Sequence, residues 1–172
     1  MLYQAEGRSA LVEPAMRDAL RRDPDFLPAQ VALAQWLDGN YRTEEARNLF
    51  QQAIERHPDS GLLRHDNGLA LIRRGERDAA LEELKQAARL EPDNAQFNYV
   101  LAIALQDTGE RKAAIEQLQA LLKRQPGNRT SRLTLIEFLE TAGEKDQAQA
   151  LREELRQLNP DDPEAAAGFS PD

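Results

Sequence analysis

Residues 95–128 read AQFNYVLAIALQDTGERKAAIEQLQALLKRQPGN, and this stretch decides the fold because the chain keeps returning to it. Its proline, Pro126, stands 34 residues after Pro92 and 34 before Pro160, and Pro24 and Pro58 continue the series without an insertion. Its glycine, Gly109, lies 17 residues before that proline, as Gly7, Gly75 and Gly143 lie before theirs. Its alanine, Ala114, lies 12 before, matched by Ala46, Ala80 and Ala148. Three residue types in one register mark an array in which a single supersecondary unit is stacked repeatedly.

Counting each proline as position 32 gives four full repeats, 27–60, 61–94, 95–128 and 129–162, behind a partial repeat at 1–26. Two amphipathic segments flank the glycine of each unit. The first, helix A, carries Leu37, Leu71, Leu105 and Leu139 at position 11, with Leu33, Leu101 and Leu135 at position 7. An i,i+4 pair of leucines makes one apolar stripe on a helix. Asn67 interrupts it, and a buried amide there costs on the order of 1–3 kcal/mol unless paired, so either it finds hydrogen-bond partners in a structural role, the favoured reading, or local packing turns it outward. The second segment, helix B, has its alanine at position 20, small enough for close helix approach, and Phe50, Leu84 and Leu118 at position 24. Proline cannot continue a helix, so position 32 ends helix B. Asp59, Asn94, Asn128 and Asp162, or their neighbours, can cap the next helix A. The expected class is therefore all-α: a single solenoid of antiparallel helix pairs over 1–162, followed by a flexible tail at 163–172.

Of the 172 residues 41% are hydrophobic and 30% charged, which suits a folded soluble chain. The net charge of −8 and the lack of a basic stripe argue against nucleic-acid binding, which needs clustered cations. Without cysteine there is no disulfide, thiol catalysis, Cys-based zinc or covalent haem attachment, and the compartment stays open between cytoplasm and periplasm. No apolar run approaches the roughly 18 residues of a membrane span. No Walker A, nucleophile elbow or zinc-helix motif occurs, so no enzyme, cofactor or metal is expected. His57 ends a helix B, where an imidazole suits the carbonyl end. The Glu82-Glu83 and Glu153-Glu154 pairs read as solvated surface. Asn128-Arg129-Thr130 fits a glycosylation sequon, but Asn128 reads as a helix cap.

Small residues at position 8 (Ala34, Gly68, Ala102, with Ile136 in the last unit), at 20 and at 27 (Ala53, Ala87), together with the proline at 32, resemble the tetratricopeptide repeat family over residues 1–162. That resemblance implies a right-handed superhelix. Two departures stand out. The family's aromatic at position 4 is replaced by Gln30, Arg64, Asn98 and Arg132. The glycine at position 15 is Tyr41 in the first full repeat, with Gly39 two residues earlier, so that turn is expected to differ locally. A secondary resemblance links His65-Asp-Asn-Gly-Leu-Ala-Leu-Ile-Arg-Arg-Gly and Tyr99-Val-Leu-Ala-Ile-Ala-Leu to the C-terminal repeat region of bacterial multihaem cytochrome-like proteins. It implies an accessory role in a larger redox protein, although no haem-ligand motif is present.

The family resemblance also implies that helix A positions 2, 5, 6, 9, 12 and 13 line a concave groove. The first repeat brings Val31 and Gln35 there. The second brings Leu62, His65, Asp66, Leu69, Ile72 and Arg73, and the third Gln96, Tyr99, Ile103 and Gln106, with Asn98 as a polar neighbour. Exposed contiguous apolar surface marks an interaction site. The expected function is a non-enzymatic scaffold that binds an apolar or amphipathic protein segment, with a few basic residues meeting Asp66, Asp107, Glu137 and Glu140. Val31, Gln35, Asp66, Gln96 and Val100 replace the residues with which chaperone adaptors of the family clamp a C-terminal carboxylate, so acidic chaperone tails are not expected. A second reading is a homo-oligomer through Leu11, Val12 and Met16. In register Leu2 and Tyr3 end a helix A that is otherwise missing, so the expectation is excision from a longer protein, the alternative being a natural start with an uncapped helix covered by a partner. Arg152 and Arg156 replace apolar residues at positions 24 and 28, as a polar C-terminal cap does.

Overall fold

A computed structural model describes the backbone of residues 2–161 and the side chains of residues 11–161. The expected tail, 163–172, and the side chains of Leu2 and Tyr3 lie outside the described residues. The chain divides into two compact units, residues 1–90 and 91–172. The first holds α1 (Leu2–Arg22), α2 (Leu27–Gly39), α3 (Thr43–Arg56), α4 (Gly61–Arg73) and α5 (Arg77–Leu90). The second holds α6 (Ala95–Asp107), α7 (Arg111–Arg124), α8 (Arg129–Thr141) and α9 (Lys145–Leu158). From α2 onward the helices pair as A/B hairpins, and all regular structure among the described residues is helical.

The leucine stripe does what its spacing predicts. Leu33, Leu37, Leu71, Leu101, Leu105, Leu135 and Leu139 are all buried. Ala46, Ala80, Ala114 and Ala148 are sealed at the crossing of each pair, and Phe50, Leu84 and Leu118 are enclosed beside them. Each such large side chain contributes about 1.5–3 kcal/mol by leaving water. Asn67 is the exception, half-buried rather than enclosed, so its amide keeps access to water.

Position 11 has a second role in the turn. The carbonyl of Leu37 accepts the N–H of Arg42, and Leu71, Leu105 and Leu139 likewise accept Glu76, Glu110 and Glu144, at 2.8–3.0 Å. The N–H of position 15 bonds one turn back, to Asp38, Ile72, Gln106 or Glu140. Both bonds form only if position 15 is left-handed. Gly75, Gly109 and Gly143 adopt φ of 78°, 86° and 83°, and Tyr41 adopts 61°. The local difference expected at Tyr41 is therefore not there. The backbone bonds fix the conformation, Asn40 adds a bond from its Nδ2 to the Trp36 carbonyl at 2.7 Å, and the tyrosine ring meets no obstacle at 95% exposure.

Position 4 explains how this chain manages without the aromatic. Past the end of helix B the proline carbonyl needs a donor. Gln30 Nε2 donates to Pro24 at 2.6 Å, Asn98 Nδ2 to Pro92 at 2.9 Å and Arg132 Nη2 to Pro126 at 2.5 Å. All three side chains are buried. Asn98 also donates to the Asn94 carbonyl, while its Oδ1 accepts from Gln117 at 2.5 Å and Arg124 at 3.3 Å. Arg64 instead pairs with Glu83 at 3.1 Å. The helix starts behind these joints are capped by Ser60, Asn94 and Asn128, each accepting the N–H three residues on. In the second repeat the cap thus falls on Ser60, not Asp59. At the other end of α3, His57 is the C-cap, its N–H bonded to the Ala53 carbonyl.

At the N-terminus, α1 runs unbroken through Gly7 and Pro14. The turn implied by Gly7 is absent. Met16 and Leu20 pack on Leu33, Leu37 and Ala46. Polar contacts clasp α1 to the start of α3: Glu13 accepts from Arg17 and Arg42, and Glu45 accepts from Arg42 at 2.6–2.7 Å.

Candidate functional site

In the first unit α2 and α4 lie side by side, and the predicted binding positions fall into two classes. Leu62 and Ile72 are exposed at 42% and 41%, Leu69 is half-buried, and Gln35 and Arg73 are open to solvent. Positions 62, 69 and 72 sit near one face of α4, so water meets a row of large apolar side chains. Val31, His65 and Asp66 are not open. Val31 packs with Ala53 and Leu63 as a core residue, because α2, α3 and α4 converge there. His65 and Asp66 are 5% and 8% exposed.

The polar groups of this face form a connected set. Gln35 hydrogen-bonds the Asp66 carboxyl from α2. Arg73 reaches Asp38 Oδ2 from Nη2 at 3.2 Å, and Arg74 Nε donates to Asp38 Oδ1 at 2.7 Å. One carboxylate on α2 therefore holds two guanidinium groups of α4. Burial pushes the Asp66 carboxyl above the usual aspartate value, while the Gln35 hydrogen bond and the charge of Arg73 pull it partly back. Around the α1 clasp the reverse holds. Hydrogen bonds from Arg42 first and Arg17 second hold Glu13 below the usual carboxylate range, and Arg42 does the same to Glu45.

The second unit offers its own surface on α6. Gln96 is exposed, and Tyr99, Ile103 and Gln106 are half-buried. Gln106 Oε1 is buried with no hydrogen-bond partner among the described residues. Asn98, expected beside this surface, is 1% exposed and committed to the Pro92 joint. Asp107, Glu137 and Glu140 are exposed. Among the N-terminal residues proposed for self-association, Leu11 and Val12 are exposed at 70% and 39%, but Met16 is turned onto the α2 core.

One feature lay outside the sequence reading. A cleft of about 460 Å³ opens between α1 and α3, floored by Leu20, Leu33, Leu37 and Leu49 and walled by Arg17, Asn48 and Gln52. Its floor uses residues of the repeating apolar pattern, but the opening above them depends on how α1 and α3 pack and is not written in the spacing. No cluster of three or more metal-ligating side chains occurs among the described residues, and no helix among them is long and apolar enough to cross a membrane.

Comparison with solved structures finds the same hairpin arrangement elsewhere. A crystal structure of MamA superposes with a TM-score of 0.71 at 20% identity, covering 88% of each chain. YrrB, described as a TPR protein with an unusual peptide-binding site, gives 0.68 at 17% identity over 96% of this chain and 86% of its own. A tetratricopeptide repeat protein from Parabacteroides merdae ATCC 43184 gives 0.71 at 15% identity, covering 93% of this chain and 64% of its own. At such identities the likeness speaks for the fold. No curated protein matches the sequence. The tetratricopeptide repeat family profile matches residues 2–159, nearly the whole chain, and with the leucine stripe, the left-handed turn and the closing proline in register, this chain belongs to the tetratricopeptide repeat family.

Proposed function

We propose that this protein is an interaction scaffold and that the α2/α4 face of its first unit docks an extended or helical segment of a partner protein. The row of exposed Leu62 and Ile72 with half-buried Leu69 between them carries the reading. Large apolar side chains left in water on one helix face are what a docking surface requires and what stability alone would remove. Gln35 and Arg73 at its border supply hydrogen bonds for orientation, as the polar rim of an interface does. The α6 surface of the second unit, with Tyr99 and Ile103 between Gln96 and Gln106, is a further contact region of the same character. The aromatic ring makes it a candidate anchor.

The test uses a random-peptide display library selected against the full chain, with the selected peptides then synthesised and titrated by fluorescence anisotropy. Leu69→Ala combined with Ile72→Ala is expected to weaken binding about tenfold or more while far-UV circular dichroism is unchanged. Tyr99→Ala with Ile103→Ala tests the α6 surface in the same way. Peptides that bind both double variants as tightly as the unmodified chain would remove the docking reading.

A further inference from the structure

On the α2/α4 face stands a carboxyl group without a directly paired cation among the described residues. Asp66 is only 8% exposed, yet it forms no ion pair among the described residues. Its hydrogen bond comes from the neutral amide of Gln35. The cation whose charge reaches it, Arg73, is held by Asp38 at 3.2 Å, and Asp38 also holds Arg74 at 2.7 Å. A buried carboxylate is normally paired, because leaving it unpaired costs far more than burying a neutral polar group. Here the stabilising cations are spent on the neighbouring acid. On α4, Leu62 and Leu69 stand one turn to either side of Asp66, at i−4 and i+3, and are themselves only partly covered.

We infer that Asp66 is the receptor for one lysine or arginine side chain of the docked segment, seated between apolar residues that lie on Leu62, Leu69 and Ile72. The inference rests on the docking function proposed above and specifies the chemistry of the partner. The cation's aliphatic stem covers apolar surface while its charged end reaches the carboxylate. Gln35 orients that carboxylate from α2, so the acid is set before the partner arrives. The net charge of −8 favours the approach of a basic segment and disfavours an acidic one.

The peptides selected from the library provide the probe. A basic residue is expected at one fixed distance from their apolar residues. A chosen peptide is then made in two forms, one with that lysine or arginine and one with norleucine in its place. On the unmodified chain the norleucine form should bind about tenfold more weakly, as a partly buried ion pair requires. Asp66→Asn keeps the size and the Gln35 hydrogen bond, and it should bind both forms equally. Its melting curve reports whether it folds, and the norleucine comparison on the unmodified chain does not depend on that variant. If no peptide is enriched at all, the docking reading fails and this inference with it. If peptides are enriched without a cation, or if the two forms bind alike, docking stands and the role of Asp66 is overturned.

Discussion

Gly68→Ala pits two physical effects against each other. Gly68 sits in the middle of α4, where alanine is favoured over glycine by about 1 kcal/mol, and the added methyl gains roughly 0.8 kcal/mol if it leaves water. Against this, a Cβ at residue 68 would stand 2.8 Å from Leu84 Cγ and 2.9 Å from Leu84 Cδ2, with the Ala80 carbonyl at 3.4 Å. Ordinary carbon contacts are about 3.5–4.0 Å, so the overlap approaches 1 Å. Leu84 is fully buried, and the nearer contact is its branching carbon, which cannot swing aside. Either the leucine leaves its rotamer or α4 and α5 separate, at the upper end of the roughly 1–3 kcal/mol that overpacking costs. The clash wins, for a net loss of about 1 kcal/mol. Urea unfolding monitored by circular dichroism should show a lower midpoint at constant slope. The same substitution in a Leu84→Ala background meets no leucine and should become stabilising by about 1 kcal/mol. Equal effects in both backgrounds would show that Leu84 is not the cause.

Asn98→Ala removes two donated and two accepted hydrogen bonds at a buried joint and should cost about 2–4 kcal/mol in the same assay. A loss under 0.5 kcal/mol would show that the bonds are replaced by water. Tyr41→Gly relieves about 1–2 kcal/mol of left-handed strain and adds about 0.5–1 kcal/mol of glycine entropy, so thermal unfolding should shift slightly upward, and a clear downward shift would contradict this account. For Asp66, burial makes the folded chain hold its proton more tightly than the unfolded chain, whose value is near 3.8. The stability this contributes is complete below that value and is lost as pH rises through the higher folded value. Asp66→Asn should therefore gain stability relative to the unmodified chain as pH rises through this window, and a pH-independent difference would refute the assignment.

The period was legible because it depends on residues whose roles are local. Proline at position 32 lies just past the end of each helix B, and glycine at position 15 takes the left-handed turn. A leucine pair at i,i+4 makes a stripe before any neighbour is known. What escaped the sequence depends on neighbours. Tyr41 departs in residue type but not in conformation, because the bonds that the Arg42 and Tyr41 N–H groups donate to the Leu37 and Asp38 carbonyls set that conformation. Val31, His65 and Asp66 were placed on an open face by their positions, but the packing of α4 against α2 and α3 decides their exposure. Asn98, expected as a polar neighbour of the groove, is instead committed to the joint with Pro92. Gly7 keeps the beat of the array, yet it stands inside α1 and makes no turn.

The joint at position 4 bears on how such a chain could have grown. The donor is a side chain at the start of one repeat, whereas the acceptor is a main-chain carbonyl at the end of the previous one, which every repeat possesses. A duplicated repeat therefore arrives with the half of the fastening that depends on sequence and finds the other half already there. Glutamine, asparagine and arginine all close it, so the fastener tolerates drift among polar residues of different lengths. Arg64, bonded to Glu83 in its own repeat, has moved the fastening inside the unit. That pair ties α4 to α5, so the position-4 side chain of this repeat serves its own hairpin rather than the boundary with its neighbour.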